Sequence, residues 1–258
     1  MFKKKKIFIT GGTTGLGEEL AIRYLQMGHS VAVCGRDEKK WKESRLFSSG
    51  QGQFYIADVC NKEEVSKALK DFMSKDNLPL DLFIANAGIG NPDKVAMPNF
   101  SGTVKVIQAN VLGVIYSAEA AFEYFHKQQF GHFITISSMA GLNGLPGNGG
   151  YSASKSAVIK LSESFAIDWK KFNITVTTIL PGFVDTPLTR KNKHFMPFLM
   201  TLEKAGDLMI KAIESKTHYY AFPWTTYTLV KILSLLPRNL YIKLMSIKLM
   251  QLIKNKES

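Results

Sequence analysis

The chain has 258 residues and only two cysteines, Cys34 and Cys60, far apart and in unlike contexts. So few thiols exclude a disulfide framework or a zinc site, and they fit a reducing compartment. The five histidines (29, 126, 132, 194 and 218) fall at no ligand spacing, so no metal is expected. Long apolar runs are also missing: no stretch reaches the roughly eighteen uncharged apolar residues of a spanning helix. The basic start, MFKKKKIFIT, carries too short an apolar run for a signal peptide, which leaves a cytoplasmic location as the expectation. Lys3 to Lys6 are expected to form a solvated lead-in to the first strand, free to touch an anionic surface. Acidic residues are the other scarcity, 21 against 33 Lys and Arg, for a net charge of +12. Residues 187–258 alone hold twelve cations against four anions. Such charge admits nucleic acid, but no recognised motif accompanies it, and none is expected as a partner.

What the chain does contain is a regular alternation of strand-like and helix-like segments. KKIFIT, SVAVCG (30–35), QFYIAD (53–58), DLFIANAG (81–88), HFITISS (132–138), NITVTTILPG (173–182) and THYYAFP (217–223) read as strands. Between them lie helix-like stretches, among them DEKKWKESRLF, one starting near Asn61, one spanning about 100–125 and one running from YSASK to about Phe172. The pattern predicts an α/β fold: a Rossmann-like, doubly wound parallel sheet of about seven strands with helices on both faces. No repeat or linker interrupts it, so one domain over 1–258 is expected, with 224–258 as a C-terminal helical extension.

TGGTTGLG at 10–17 follows the first strand and opens a helix in which Leu20, Ala21, Tyr24 and Leu25 keep helical spacing up to Gly28. A strand, a glycine turn and a helix N-terminus make an anion site, because free amides and the helix dipole point at a phosphate. Gly11, Gly15 and Gly17 are expected to let the backbone approach a pyrophosphate. The spacing T-G-x-x-x-G-x-G differs from the common G-x-G-x-x-G fingerprint.

Tyr151 and Lys155 stand four residues apart in YSASK, with Ser138 thirteen positions upstream. One helical turn puts the phenol and the ammonium on one face. A phenol titrates near pH 10, and a lysine about 4 Å away supplies on the order of 4 kcal/mol toward the phenolate at an effective dielectric near 20. The expectation is a tyrosine tuned for proton exchange. Gly11–Gly17, Asp58, Asn86-Ala87-Gly88, Ser138 and Pro181-Gly182 all fall at the carboxyl ends of predicted strands, the edge at which open α/β sheets hold ligands.

With these motifs in this order, the chain closely resembles the classical short-chain dehydrogenases/reductases from residue 5 to about 223. TGGTTGLG looks like the family's cofactor loop, Asp58-Val59 its adenine-contacting pair, NAG at 86–88 its sheet-stabilising motif, and PGFVDT at 181–186 the segment over the nicotinamide. The resemblance implies hydride transfer between a nicotinamide and a carbonyl or alcohol carbon. It implies Tyr151 as proton donor or acceptor, Ser138 holding the substrate oxygen, and Lys155 lowering the tyrosine pKa and holding the ribose. Asn110 is implied to anchor a water that connects Lys155 to solvent, the alternative being a helix-bending residue bonded to backbone. The implied cofactor site comprises Gly11, Thr13, Thr14, Gly15, Leu16, Gly17, Arg36, Asp58, Val59, Asn86, Ala87, Gly88, Tyr151, Lys155, Pro181, Gly182, Val184 and Thr186. Family members are often dimers or tetramers, which makes a homo-oligomer an expectation too.

At the end of the second strand, where NAD binders usually carry a carboxylate, this chain has Gly35 and then Arg36. A guanidinium there pairs with the 2′-phosphate of NADP. Asp37 follows, to cap the next helix or to meet the ribose of NAD. NADP is the favoured reading, and NAD-linked alcohol oxidation or a non-catalytic dinucleotide sensor are the alternatives. Leu188, Phe195, Met196, Phe198, Leu199 and Met200 suit a lid over a hydrophobic ketone or alcohol, or else plain core. GLNGLPGNGG (141–150) reads as a mobile loop beside Ser138. Residues 224–254 read as two helices separated by Pro237. In the second, Tyr241, Ile242, Met245, Leu249, Leu252 and Ile253 share an arc, with Lys243, Ser246, Lys248, Gln251 and Lys254 mostly opposite. A basic amphipathic helix fits an anionic membrane surface, and it fits packing on the body or a second subunit equally.

Overall fold

The computed structural model describes residues 4–90, 100–191 and 196–257. Lys3, His194 and Phe195 lie outside them. Seven parallel strands form one sheet in the order β3-β2-β1-β4-β5-β6-β7. They are β1 (Lys6–Thr10), β2 (Ser30–Gly35), β3 (Gln53–Ile56), β4 (Leu80–Ala85), β5 (Gly131–Ile136), β6 (Ile174–Pro181) and β7 (Tyr219–Phe222). The expected doubly wound sheet is thus present. Its order reverses between β1 and β4, the place where such sheets open a crevice at their carboxyl edge.

The strands are apolar on both faces because helices cover both. In β1, Phe8 joins a cluster with Phe72, Phe83, Phe125 and Phe133, while Ile7 and Ile9 point the other way to Leu20, Ile84, Ile134 and Met209. Ile7, Phe8 and Ile9 are all fully buried, each contributing about 1.5–3 kcal/mol. The covering helices include α1 (Gly15–Gln26), α4 (Lys62–Met73), α6 (Gly113–Gln128) and α7 (Gly149–Asp168). Asn61 caps α4, accepting from the amides of Glu63 and Glu64.

Several expectations need correction. The single helix expected over DEKKWKESRLF is two, α2 (Glu38–Lys42) and α3 (Arg45–Ser49), because Ser44 accepts from the Phe47 amide and starts a new helix. The segment around 100–125 runs as α5 (Phe100–Ile107), a π-helical turn at Gln108–Leu112 and then α6. The YSASK helix stops at Asp168, four residues early, and Lys170–Phe172 forms a 3₁₀ turn. A further helix, α8 (Leu202–Glu214), was not anticipated.

Lys6 is not solvated. It is fully buried, and its ammonium donates to Asp76 Oδ1 at 2.6 Å and to the Met73 carbonyl at 3.3 Å, over the Phe72 ring. Pairing compensates the cost of burying the charge. Lys5 is ion-paired to Glu214.

Beyond β7 the two expected helices are present as α9 (Trp224–Leu235) and α10 (Arg238–Glu257), on either side of Pro237. The expected apolar arc of α10 does not hold as one face. Tyr241 is buried, Ile242 is 59% exposed, and Leu240, Leu244 and Ile247 on the other side are exposed too. Apolar residues are spread around this helix, so packing on the body covers only one stripe of them. Side chains at 248–257 lie outside the description.

Candidate active site

A cleft of about 520 Å³ opens at the carboxyl edge of the sheet. It gathers the predicted residues Gly11, Thr13, Thr14, Gly15 and Leu16 from the first loop, Arg36 after β2, and Asp58 and Val59 after β3. Asn86, Ala87 and Gly88 follow β4, Ser138 follows β5, Tyr151 and Lys155 come from α7, and Pro181, Gly182, Val184 and Thr186 from the end of β6 onward. Of the residues anticipated from sequence, only Gly17 and Asn110 stand behind the wall.

At the nucleotide end, the glycines have different tasks. A Cβ on Gly17 would sit 2.4 Å from Asn86 Nδ2 and 2.6 Å from the Gly11 carbonyl. A Cβ on Gly11, itself at φ +66°, would sit 2.8 Å from Ala87 Cα. These two admit the neighbouring strand-end loop, and Gly15 is the one whose open side faces Thr186 across the cleft. Asn86 ties the arrangement together: its Nδ2 donates to the Thr10 and Gly11 carbonyls, both at 3.0 Å. Arg36 is 62% exposed, with Nη1 3.4 Å from Asp58 Oδ2. Asp37 is the N-cap of α2, accepting from the Lys40 amide at 3.2 Å.

At the other end, Ser138 Oγ accepts from the Ala140 amide at 3.1 Å and opens a short 3₁₀ turn. Lys155 is buried and donates to the Ile136 carbonyl at 2.8 Å, while Ser137 Oγ donates to its backbone carbonyl at 2.8 Å. The Lys155 Nζ lies 5.8 Å from the centre of the Tyr151 ring. Asn110 is fully buried in the π-helical turn. Its Oδ1 accepts from the Ile89 amide at 2.8 Å, and its Nδ2 donates to the Ile89 carbonyl and to Ser154 Oγ, both at 3.0 Å. Its side chain is therefore bonded to backbone and to Ser154, next to Gly88, rather than aimed at Lys155. A Cβ on Gly88 would meet Asn110 Oδ1 at 3.2 Å and Lys155 Nζ at 3.4 Å.

Residues 5–196 match the family model for short chain dehydrogenase. The chain belongs to the classical short-chain dehydrogenase/reductase family. Over 235 residues it is 30% identical to an uncharacterized oxidoreductase of Myxococcus xanthus, covering 90% of this chain and 93% of that protein. Among solved structures, ElxO with NADP bound is similar at a TM-score of 0.75 and 26% identity, covering 85% of this chain and 96% of that one. A short-chain dehydrogenase/reductase of Burkholderia phymatum in complex with NAD has a TM-score of 0.80 at 20% identity, covering 90% and 94%. This dehydrogenase/reductase is accordingly an oxidoreductase of a family that binds NAD(P) and acts on small molecules. The cleft fits a dinucleotide: it runs from the N-terminus of α1 to Tyr151, and glycine backbone lines it where a phosphate needs free amides.

The electrostatics depart from the sequence-based expectation. Burial pushes the Tyr151 phenol above its ordinary value, partly offset by hydrogen bonding to Ser138. The net shift is upward despite the neighbouring lysine, whose ammonium donates to the Ile136 carbonyl. Burial pushes Lys155 itself down to about 8. Sequence reasoning also missed Lys40, Ile89, Ala109 and Thr189, which line the cleft. Lys40 carried a usable signal, a cation one helical turn beyond Arg36. Among the described residues, no group of three or more His, Cys, Asp or Glu could hold a metal.

Proposed function

We propose that this oxidoreductase is an NADP-dependent carbonyl reductase for a hydrophobic ketone or aldehyde, with Tyr151 as the proton donor. The observation that carries the reading is the Tyr151–Lys155 pair on one face of α7, lining a dinucleotide-sized cleft together with Ser138. When bound, a reduced nicotinamide supplies the hydride to the carbonyl carbon. Ser138 Oγ holds the carbonyl oxygen, and Tyr151 gives that oxygen its proton as negative charge develops. A phenol kept neutral by burial is in the form a proton donor needs, which favours reduction. Lys155 holds the ribose. Asn110 acts by positioning: it fixes Ile89 and Ser154, and through them the strand-end loop and α7.

Arg36 and Lys40 supply cationic partners for a 2′-phosphate, and Asp58 faces the adenine side. NAD-linked oxidation would call for a carboxylate on the ribose, and Asp37 is already engaged as the cap of α2. Leu188 at the cleft, with Phe198 and Leu199 exposed nearby in sequence, supports an apolar substrate wall. We take residues 1–258 as one functional unit working in the cytoplasm.

The test is NADPH consumption across hydrophobic ketones and aldehydes, comparing wild type with Tyr151→Phe. Turnover should fall by about 10²–10⁴-fold in the variant, while NADPH affinity stays within a few-fold. A variant that turns over like wild type would remove Tyr151 from the chemistry.

A further inference from the structure

We propose that α9 and α10 dock this protein, lying flat, on an anionic lipid surface. The two helices leave an apolar face without a partner. Leu229, Ile232 and Leu235 of α9 and Leu240, Leu244 and Ile247 of α10 are all exposed, Leu235 by 75%. An isolated exposed leucine is ordinary, but with Ile242 there are seven exposed apolar side chains in nineteen residues, which is not.

Charge identifies the occupant. From Ser215 to Lys256 the chain has no Asp or Glu, against Lys216, Lys231, Arg238, Lys243, Lys248, Lys254 and Lys256. Apolar side chains on two helices that carry six cations against a single acid, Glu257, complement a surface that is apolar below and anionic above. A second copy of this chain complements it poorly, since a two-fold contact sets the same cations against one another. No helix among the described residues is long and apolar enough to cross a membrane, so the helices are suited to lying in the interface.

The helices are also held so that this face points away from the body. Thr226 of α9 is buried and Tyr227 packs beside Tyr219 of β7. Asn143 Nδ2 donates to the Val230 carbonyl at 3.2 Å, Arg238 Nη1 lies 3.4 Å from Asn143 Oδ1, and the Tyr241 hydroxyl donates to the Gly144 carbonyl at 2.6 Å. Asn143 and Gly144 belong to the loop between Ser138 and Tyr151. The surface that meets lipid is therefore fastened to the loop that joins the two substrate-facing residues of the cleft.

Docking needs no turnover, so it can be measured apart from the catalytic reading. The full chain should co-sediment with vesicles of phosphatidylcholine and phosphatidylglycerol, and added salt should weaken this. Vesicles of phosphatidylcholine alone should retain little. A Lys231→Glu/Lys243→Glu variant should bind at least about five-fold more weakly for each lysine replaced. A Leu240→Ser/Leu244→Ser/Ile247→Ser variant should also lose vesicle binding, with NADPH affinity unchanged. Absence of wild-type binding to the anionic vesicles, or binding indifferent to both variants, overturns the proposal. So does a leucine variant that turns an oligomer into a monomer in light scattering when the wild type ignores vesicles, because a second copy then covers the face.

Discussion

Withdrawal from solvent moves the two titrating groups of α7 in opposite senses: Tyr151 keeps its proton more tightly, and Lys155 is pushed down to about 8. Their spacing was legible in the sequence, since four residues make one turn whatever the surroundings. Their pKa values were not, because these depend on burial and on where the ammonium spends its hydrogen bonds. His132 gives the same lesson away from the site. It sits buried in β5, bonded to Thr177 Oγ1 at 2.8 Å, and burial pushes its pKa to about 3. The folded value lies below the unfolded one, so the stabilisation is complete above about pH 6.5 and is lost as pH falls toward 3. Urea unfolding should show stability decreasing by up to about 1.4 kcal/mol per pH unit through that window. His132→Asn should flatten the slope, and an equal slope in both proteins would exclude this histidine as its source.

Elements were most legible where capping and glycine chemistry are local. Asn61 announced α4 and Pro237 divided the last two helices, as expected. The division of α2 from α3 was missed, because Ser44 reads as an ordinary polar residue until its hydroxyl accepts the Phe47 amide. Asn110 read as a helical asparagine, but the π-helical turn around it, which aims its amide at Ile89 and Ser154, leaves no mark in periodicity. The first loop yields the prediction at this scale. Gly17→Ala puts a methyl onto Asn86 Nδ2 and should detach the β4 loop from Thr10 and Gly11. The cost should be about 1–3 kcal/mol, or roughly 2–4 °C in thermal midpoint per kcal/mol. Dinucleotide affinity should fall with it. Unchanged melting and affinity would mean that the two loops yield without loss.

At the scale of the whole molecule, the sheet turns motifs scattered over most of the chain into one cleft. Strand alternation and strand-end motifs made that convergence readable, since a parallel sheet brings every carboxyl end to the same edge. Position in the layers was harder to read. Lys6 looked like part of a solvated basic lead-in and is core, while of the arc expected on α10 Tyr241 is buried and Ile242 faces outward. The substrate wall is less legible still, because apolar side chains after β6 serve a lid and a core equally well.

The central claim, that this cleft is built for NADPH, is tested most directly by titrating the protein with NADPH and with NADH and following cofactor fluorescence. A charge-assisted pair between Arg36 and a 2′-phosphate would contribute about 1.5–3 kcal/mol, so on this proposal NADPH should bind about ten-fold or more tightly than NADH. Arg36→Ala should remove that difference while leaving NADH affinity in place. Equal affinity for the two, tighter NADH, or a preference that survives the loss of Arg36 would contradict the account.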